Sequence, residues 1–306
     1  LQSLIMIIVS VLILFFIIYT HFGGFASFFG NIKEKFPQFL SVPGPGFFNF
    51  KTFLGLTLPW FFFSISNPQV SQRLFIPRSL KAMKTMIKGF LGFGFVYTLV
   101  SVLWGFSTKL LIPGLGNPDL ATPTLLGSEY VPTSLGLIAM IGITAAAIST
   151  IDSIMLTLSS LVVRDLYGNT DEDISEGKEL FVGKIVILVI ALAGLIFASL
   201  ELDLIATLSV ASSVGLLVVV PTIFGAFFWR RATAPAALAS ILSGVVTAVY
   251  LQFSGLKPLG HWPGVWTLLV ATLVFIVVSL FTSPPRENAE RFMGYLSKEL
   301  EEKNIL

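Results

Sequence analysis

An all-α fold that crosses a bilayer several times is predicted by three properties of the sequence. Hydrophobic residues make up 55% of the 306 positions and charged residues only 12%, whereas soluble domains carry roughly 25% charge. Mean hydropathy is +0.88. The apolar residues gather into eight runs, most of them near the roughly 20 residues that a helix needs to span hydrocarbon. The net charge of +2 gives no basis for nucleic-acid binding, and the absence of cysteine removes disulfides and thiolate metal sites.

The runs are residues 2–20, 53–69, 89–111, 134–163, 182–200, 203–228, 234–252 and 264–282. The first has no basic stretch before it and no small-x-small cleavage site after it (His21-Phe22-Gly23-Gly24 follows), so it reads as a membrane helix rather than a signal peptide. Because apolar sequence starts at Leu1, the chain is expected to be part of a longer one. A long connection, 21–52, contains Pro37, Pro43 and Pro45 and an aromatic-rich piece suited to the membrane interface. The second run contains Leu58-Pro59-Trp60 and Ser66-Asn67-Pro68. Each proline removes a backbone donor and disfavours helical geometry just before it. Inside a membrane such breaks survive where the freed carbonyls find protein partners or line a cavity, as in the discontinuous helices of transporters. An ordinary proline kink is the simpler alternative.

The fourth run holds the most informative stretch, Ala145-Ala146-Ala147-Ile148-Ser149-Thr150-Ile151-Asp152-Ser153. At about 100° per residue, Ala146, Ser149, Thr150 and Ser153 share one face, which Thr157 and Ser160 extend. Polar side chains in hydrocarbon turn towards protein or a water-filled cavity. Hydroxyls with a nearby carbonyl suit a hard cation such as sodium, which takes oxygen ligands. The same residues also suit hydroxyls bonded back to their own helix, with the alanines allowing close packing. Asp152 lies on the flank of this face, about 18 Å by helical rise from Arg164. It is a candidate proton site or cation ligand, or a carboxylate satisfied by neighbours. The sixth run carries Thr207, Ser209, Ser212, Ser213 and then Pro221, a pattern shared by binding sites and by helix-packing contacts. After Pro284-Pro285 a charged tail places Phe292, Met293, Leu296 and Leu300 at helical spacing, as in an amphipathic surface helix.

Basic residues set the orientation. With the start of the first run in the cytoplasm, the outer connections hold only Lys33, Lys35, Lys51, Lys109 and Lys257 of the 19 basic residues. The positive-inside rule therefore puts both ends of the chain in the cytoplasm. Enzymatic constellations are scarce: His21 and His261 are far apart, and paired intramembrane carboxylates, a glycine-rich phosphate loop and an HExxH motif do not occur. The expectation is a protein that is not an enzyme.

Three stretches in order, NPQVSQRLFIPRS (67–79), AAAISTIDS (145–153) with RDLYG (164–168), and FFWRRATAPAALASILSG (227–244), resemble the solute:sodium symporter family. The resemblance implies the inverted-repeat fold of leucine-transporter type. Residues 1–20 are then similar to the fifth core helix, with the first core helices upstream of this sequence. Residues 21–52 are an extracellular connection, 53–228 the five helices of the second repeat, 229–283 two peripheral helices and 284–306 a cytoplasmic tail. It also implies sodium-coupled symport of a small organic solute across the plasma membrane. In the family one sodium ion is held by an alanine carbonyl and two adjacent hydroxyls, which look like Ala146, Ser149 and Thr150. Some members hold a second ion near a serine that looks like Ser153, together with an aspartate on the fifth core helix. Solute contacts look like Trp60, Phe63, Ser64 and Asn67, with Phe63 at an aromatic inner gate; Ser209 and Ser212 are further candidates. Sugar-transporting members use a lysine on the seventh core helix, and Gly94 stands at the position resembling it. That departure favours an amino acid or carboxylate. Ala234-Pro235-Ala236 departs from the usual Gly-Ala in a peripheral region. A transporter-like solute sensor or regulatory protein, and proton coupling through Asp152, are the rival expectations.

Overall fold

The computed structural model describes residues 2–44, 46, 49–167, 175–199 and 215–302. Their regular elements are all helical: α1 (Gln2–Phe22), α2 (Phe25–Lys35), α3 (Phe50–Ser66), α4 (Pro68–Arg73), α5 (Leu80–Leu111), α6 (Ala121–Leu126), α7 (Thr133–Leu161), α8 (Glu176–Ala198), α9 (Val220–Phe228), α10 (Ala234–Ser254), α11 (Pro263–Phe281) and α12 (Arg286–Glu302). A π-helical turn, Val162–Tyr167, prolongs α7.

Among the described residues, α1, α5, α7, α8, α10 and α11 are long and apolar enough to cross a membrane. The protein is therefore an all-α polytopic membrane protein. The other two expected crossings differ for separate reasons. The second run ends as a helix of 17 residues because the chain leaves helical geometry at Asn67. Residues 203–214 of the sixth run lie outside the described residues, which take it up at Gly215. Two helices begin earlier than their apolar runs. The Ser79 hydroxyl accepts from the Ala82 N–H and caps α5 at Leu80, which adds a basic first portion with Lys81, Lys84 and Lys88. Glu176 and Glu179 occupy the first turn of α8, where carboxylates favour the positive end of the helix dipole.

The described chain forms two compact units, one of residues 1–44 with 72–201 and one of residues 45–71 with 202–306. In the first unit α1 is apolar all round. One stripe, Val9, Ile13, Leu14, Ile17 and Ile18, is buried, while Leu4, Ile5, Ile8, Leu12 and Phe15 on the other side stay exposed. A helix of this kind meets protein on one face and lipid on the other. Because lipid is as apolar as leucine, the buried stripe is held by close packing rather than by exclusion of water. It packs with Val100 and Trp104 of α5, Leu125 and Leu126 of α6 and Ala139 of α7. The long connection after α1 joins this core: Phe28 and Ile32, one turn apart on α2, are almost fully buried in it.

In the second unit α10 and α11 pair along their length. Ala236, Ser240, Gly244 and Ala248 form the buried stripe of α10, and Thr267, Ala271, Phe275 and Ser279 that of α11. Small residues every fourth position let the backbones approach. Ser240 donates to the Ala271 carbonyl at 2.8 Å across that seam. Thr233 caps α10 by accepting from the Ala236 N–H. Pro235 then sits in the first turn, where its missing donor is harmless, so the Ala234-Pro235-Ala236 departure is a helix start. At this same end of α10, Arg231 donates to the Leu280 carbonyl and Thr233 pairs with Thr282, fixing where the chain leaves α11.

Candidate functional sites on α7 and α3

On α7 one stripe of small and hydroxyl residues runs the length of the helix. Its N-terminal part packs on α1: Ala139 is 5% exposed, and a Cβ at Gly142 would lie 3.1 Å from Met6. Its C-terminal part is buried at Thr157, whose hydroxyl donates to Gln72 Oε1 at 3.3 Å. Between these packed ends Ser149 and Thr150 are exposed and Ala146 and Ser153 half-exposed. Beside the stripe, at Ala145, opens an apolar cleft of about 360 Å³ between α1 and α7, lined by Gln2, Met6, Ala139 and Gly142 among others. The Nε2 atom of Gln2 is buried and has no hydrogen-bond partner. Sequence reasoning passed over Gln2 because a lone amide at the start of an apolar run has no pattern to mark it.

The oxygens on the open part of the stripe are ordered by the helix itself. Thr150 Oγ1 donates to the Ala146 carbonyl at 2.8 Å, and Ser153 Oγ to the Ser149 carbonyl at 2.9 Å. This back-bonding is the arrangement expected of hydroxyls bonded to their own helix, and it leaves the cation reading intact. A hydroxyl that gives its proton to a carbonyl keeps its lone pairs for another partner. A hard cation such as calcium holds oxygens at about 2.3–2.6 Å, so two oxygens 2.8 Å apart can form one edge of such a shell. Groups of three or more His, Asp or Glu able to hold a metal do not occur among the described residues. Asp152 is exposed, about 60° round the helix from Ser149.

The second candidate site lies on α3. The helix persists through Pro59, which is fully buried, and breaks at Asn67, where ψ is 115°. The position before Pro68 is the one expected to leave helical geometry. The freed groups find partners close by. Asn67 Oδ1 accepts from the Val70 N–H at 3.3 Å. The Ser71 hydroxyl reaches both the Ile65 carbonyl at 3.1 Å and the Asn67 carbonyl at 2.7 Å. Ser71 was not among the sequence candidates; its signal is a hydroxyl placed one turn beyond an Asn-Pro break.

Trp60, Phe63, Ser64 and Asn67, spaced i, i+3, i+4 and i+7, share one face of α3. Trp60 is 53% exposed, and its ring lies 5.2 Å from that of Phe63 at an angle of 41°. Phe62, on the other side, packs edge-on against Phe224 of α9 at 5.9 Å. Gly94 lies within α5. Ser209 and Ser212 fall outside the described residues.

The arrangement of oxygens on one helix and a broken aromatic-bearing helix can be set beside known proteins. The model of the sodium:solute symporter family matches residues 1–244. The osmoregulated proline transporter OpuE of Bacillus subtilis is 25% identical over 298 residues, 93% of this chain and 58% of its own length. The sodium/pantothenate symporter of Haemophilus influenzae is 27% identical over 284 residues, 90% of this chain and 57% of its own length. A sodium/proline symporter of the same organism is 29% identical over 162 residues, 49% of this chain and 31% of its own. The chain thus spans less than two thirds of the length of these curated relatives. Since the family model extends over most of its residues, the chain belongs to the sodium:solute symporter family.

Proposed function

We propose that this chain serves sodium-coupled secondary symport of a small polar organic solute across the plasma membrane, with its ends in the cytoplasm. The reading rests on family membership together with one geometric observation: Thr150 Oγ1 and the Ala146 carbonyl stand 2.8 Å apart on the open part of the α7 stripe. In this reading Ala146, Ser149 and Thr150 give oxygen ligands to sodium, which travels as a co-substrate, and Ser153 serves a second ion. Trp60 and Phe63 offer aromatic faces to the solute, while Ser64 and Asn67, with Ser209 and Ser212 of the sixth run, offer polar contacts. The relatives named for proline and pantothenate, and Gly94 in place of a lysine, support an amino acid or carboxylate over a sugar. The same membership supports transport rather than catalysis.

The energetics suit the role. One charge moving down 100 mV releases about 2.3 kcal/mol, enough to concentrate a solute about fortyfold. Sealed vesicles holding the full-length protein provide the test, with radiolabelled proline and pantothenate as probes. Uptake of one of them should rise when sodium is high outside. Equal uptake with and without the sodium gradient refutes the proposal. The exposed carboxylate of Asp152 favours one second reading, coupling to protons. It predicts uptake driven by a pH gradient without sodium and lost in Asp152→Asn.

A further inference from the structure

We propose that Trp262, in the connection between α10 and α11, is a positioning residue that splints α3 at its weakest turn and so sets the direction of the turn bearing Trp60 and Phe63. The inference rests on the reading of those two residues as solute contacts.

The weakness is written into α3. Pro59 has no N–H, so the Gly55 carbonyl loses the donor that would normally close the helical turn. Gly55 itself is the residue with the least side-chain restraint on its backbone. Both defects fall on one turn, immediately before Trp60.

Trp262 is seated on that turn. A Cβ added at Gly55 would lie 2.6 Å from the Trp262 Cβ and 2.9 Å from its Cδ1, so only glycine admits the tryptophan at this depth. The indole N–H donates to Thr52 Oγ1 at 3.2 Å, and both residues are buried. Lys257 Nζ stands 4.3 Å from the centroid of the same ring, a cation–π contact. One residue before Thr52, Lys51 Nζ donates to the Leu259 carbonyl. Leu259 has φ +52°, in the left-handed region that bulky residues avoid. Such a conformation persists where its surroundings hold it, and Lys51 is one of the groups that does so.

Thr52, Gly55 and Pro59 share the buried face of α3, whereas Trp60, Phe63, Ser64 and Asn67 occupy a face about 100° away. Trp262 therefore acts on the solute face through the α3 backbone.

The test removes the splint in the full-length protein in two ways, Trp262→Ala and Gly55→Leu, with Trp262→Phe as the conservative partner that keeps the ring. Amide hydrogen exchange over residues 56–63 should quicken about tenfold in the first two variants and stay near the parent rate in Trp262→Phe. In vesicles the half-saturating concentration of whichever probe, proline or pantothenate, the parent carries should rise at least about fivefold. The half-saturating sodium concentration, set by residues on α7, should change less than about twofold. Unchanged exchange in Trp262→Ala and Gly55→Leu overturns the splint, as does a Trp262→Phe variant as loose as Trp262→Ala. A parallel rise for solute and sodium also overturns it, since general damage moves both. If the parent carries neither probe, that result counts against the proposed transport, and the exchange rates still decide the splint.

Discussion

α7 and α3 present oxygen atoms within apolar sequence by opposite means. α7 stays helical from Thr133 to Leu161, and its oxygens are hydroxyls anchored to the preceding turn of the same helix. α3 breaks at Asn67, and there the oxygens are backbone carbonyls of Ile65 and Asn67, joined by the Ser71 hydroxyl. An intact helix fixes its oxygens at the spacing of its own turns, which suits a spherical ion. A broken helix releases a backbone whose path its side chains must define, which suits a larger ligand of particular shape. The comparison explains why the α7 residues were recognisable from spacing, whereas the partners that hold the α3 break were not.

The sharpest way to break this comparison is Thr150→Val, which keeps the β-branch and removes the oxygen beside Ala146. Hydrogen bonds and contacts to a charged group are worth about 1.5–3 kcal/mol, so half-saturation by sodium should rise at least about tenfold. Thr144 makes the same back-bond, to the Met140 carbonyl at 2.9 Å, but points away from the stripe. Thr144→Val should leave sodium dependence at the parent value; if both variants behave alike, the stripe is not the sodium site.

Asn67→Ala probes the other side. Losing the cap on the Val70 N–H costs about 1 kcal/mol, and the expected outcome is a roughly fivefold higher half-saturation for solute. Initial-rate uptake at several solute concentrations measures it, with sodium dependence as the internal reference. A smaller effect is expected for Ser71→Ala. It strips the Ile65 carbonyl of its donor and should lower stability by about 1 kcal/mol, a fall of about 2–4 °C in thermal unfolding of detergent-purified protein. The smallest is Ser159→Ala on α7, which loses the bond to the Gly183 carbonyl at 3.0 Å. Intramembrane bonds of this kind average about 0.6 kcal/mol, so the melting point should drop about 1–2 °C while uptake kinetics hold.

Much of the architecture was legible because hydrocarbon demands long, uniform apolar runs: α1, α7, α10 and α11 lie within about two residues of their expected limits at most ends. The early starts of α5 and α8 were hidden because those turns are polar, outside the run that marks a crossing. The burial of Phe28 and Ile32 was hidden for a related reason, since an 11-residue helix with three phenylalanines and two lysines reads equally well as an interfacial segment. Trp60, Phe63, Ser64 and Asn67 came into view through the family resemblance, and their spacing along α3 puts them on one face. The seat of Trp262 on Gly55 was beyond reach. Its hydrogen bond joins residues 210 apart in sequence, and neither a glycine in an apolar run nor a tryptophan near a boundary announces a partner.

The Ser71 hydroxyl stands within reach of two carbonyls, Ile65 and Asn67, yet a serine has a single proton to give. The two contacts occur together as a three-centre bond, the arrangement common at helix termini. The Asn67 carbonyl also accepts from the Val70 N–H at 3.1 Å and the Ser71 N–H at 2.9 Å, so it keeps partners even if the hydroxyl turns wholly to Ile65. The break in α3 is therefore closed on both sides by one side chain: residues 65 and 67, separated where helical geometry is lost, stay linked through Ser71.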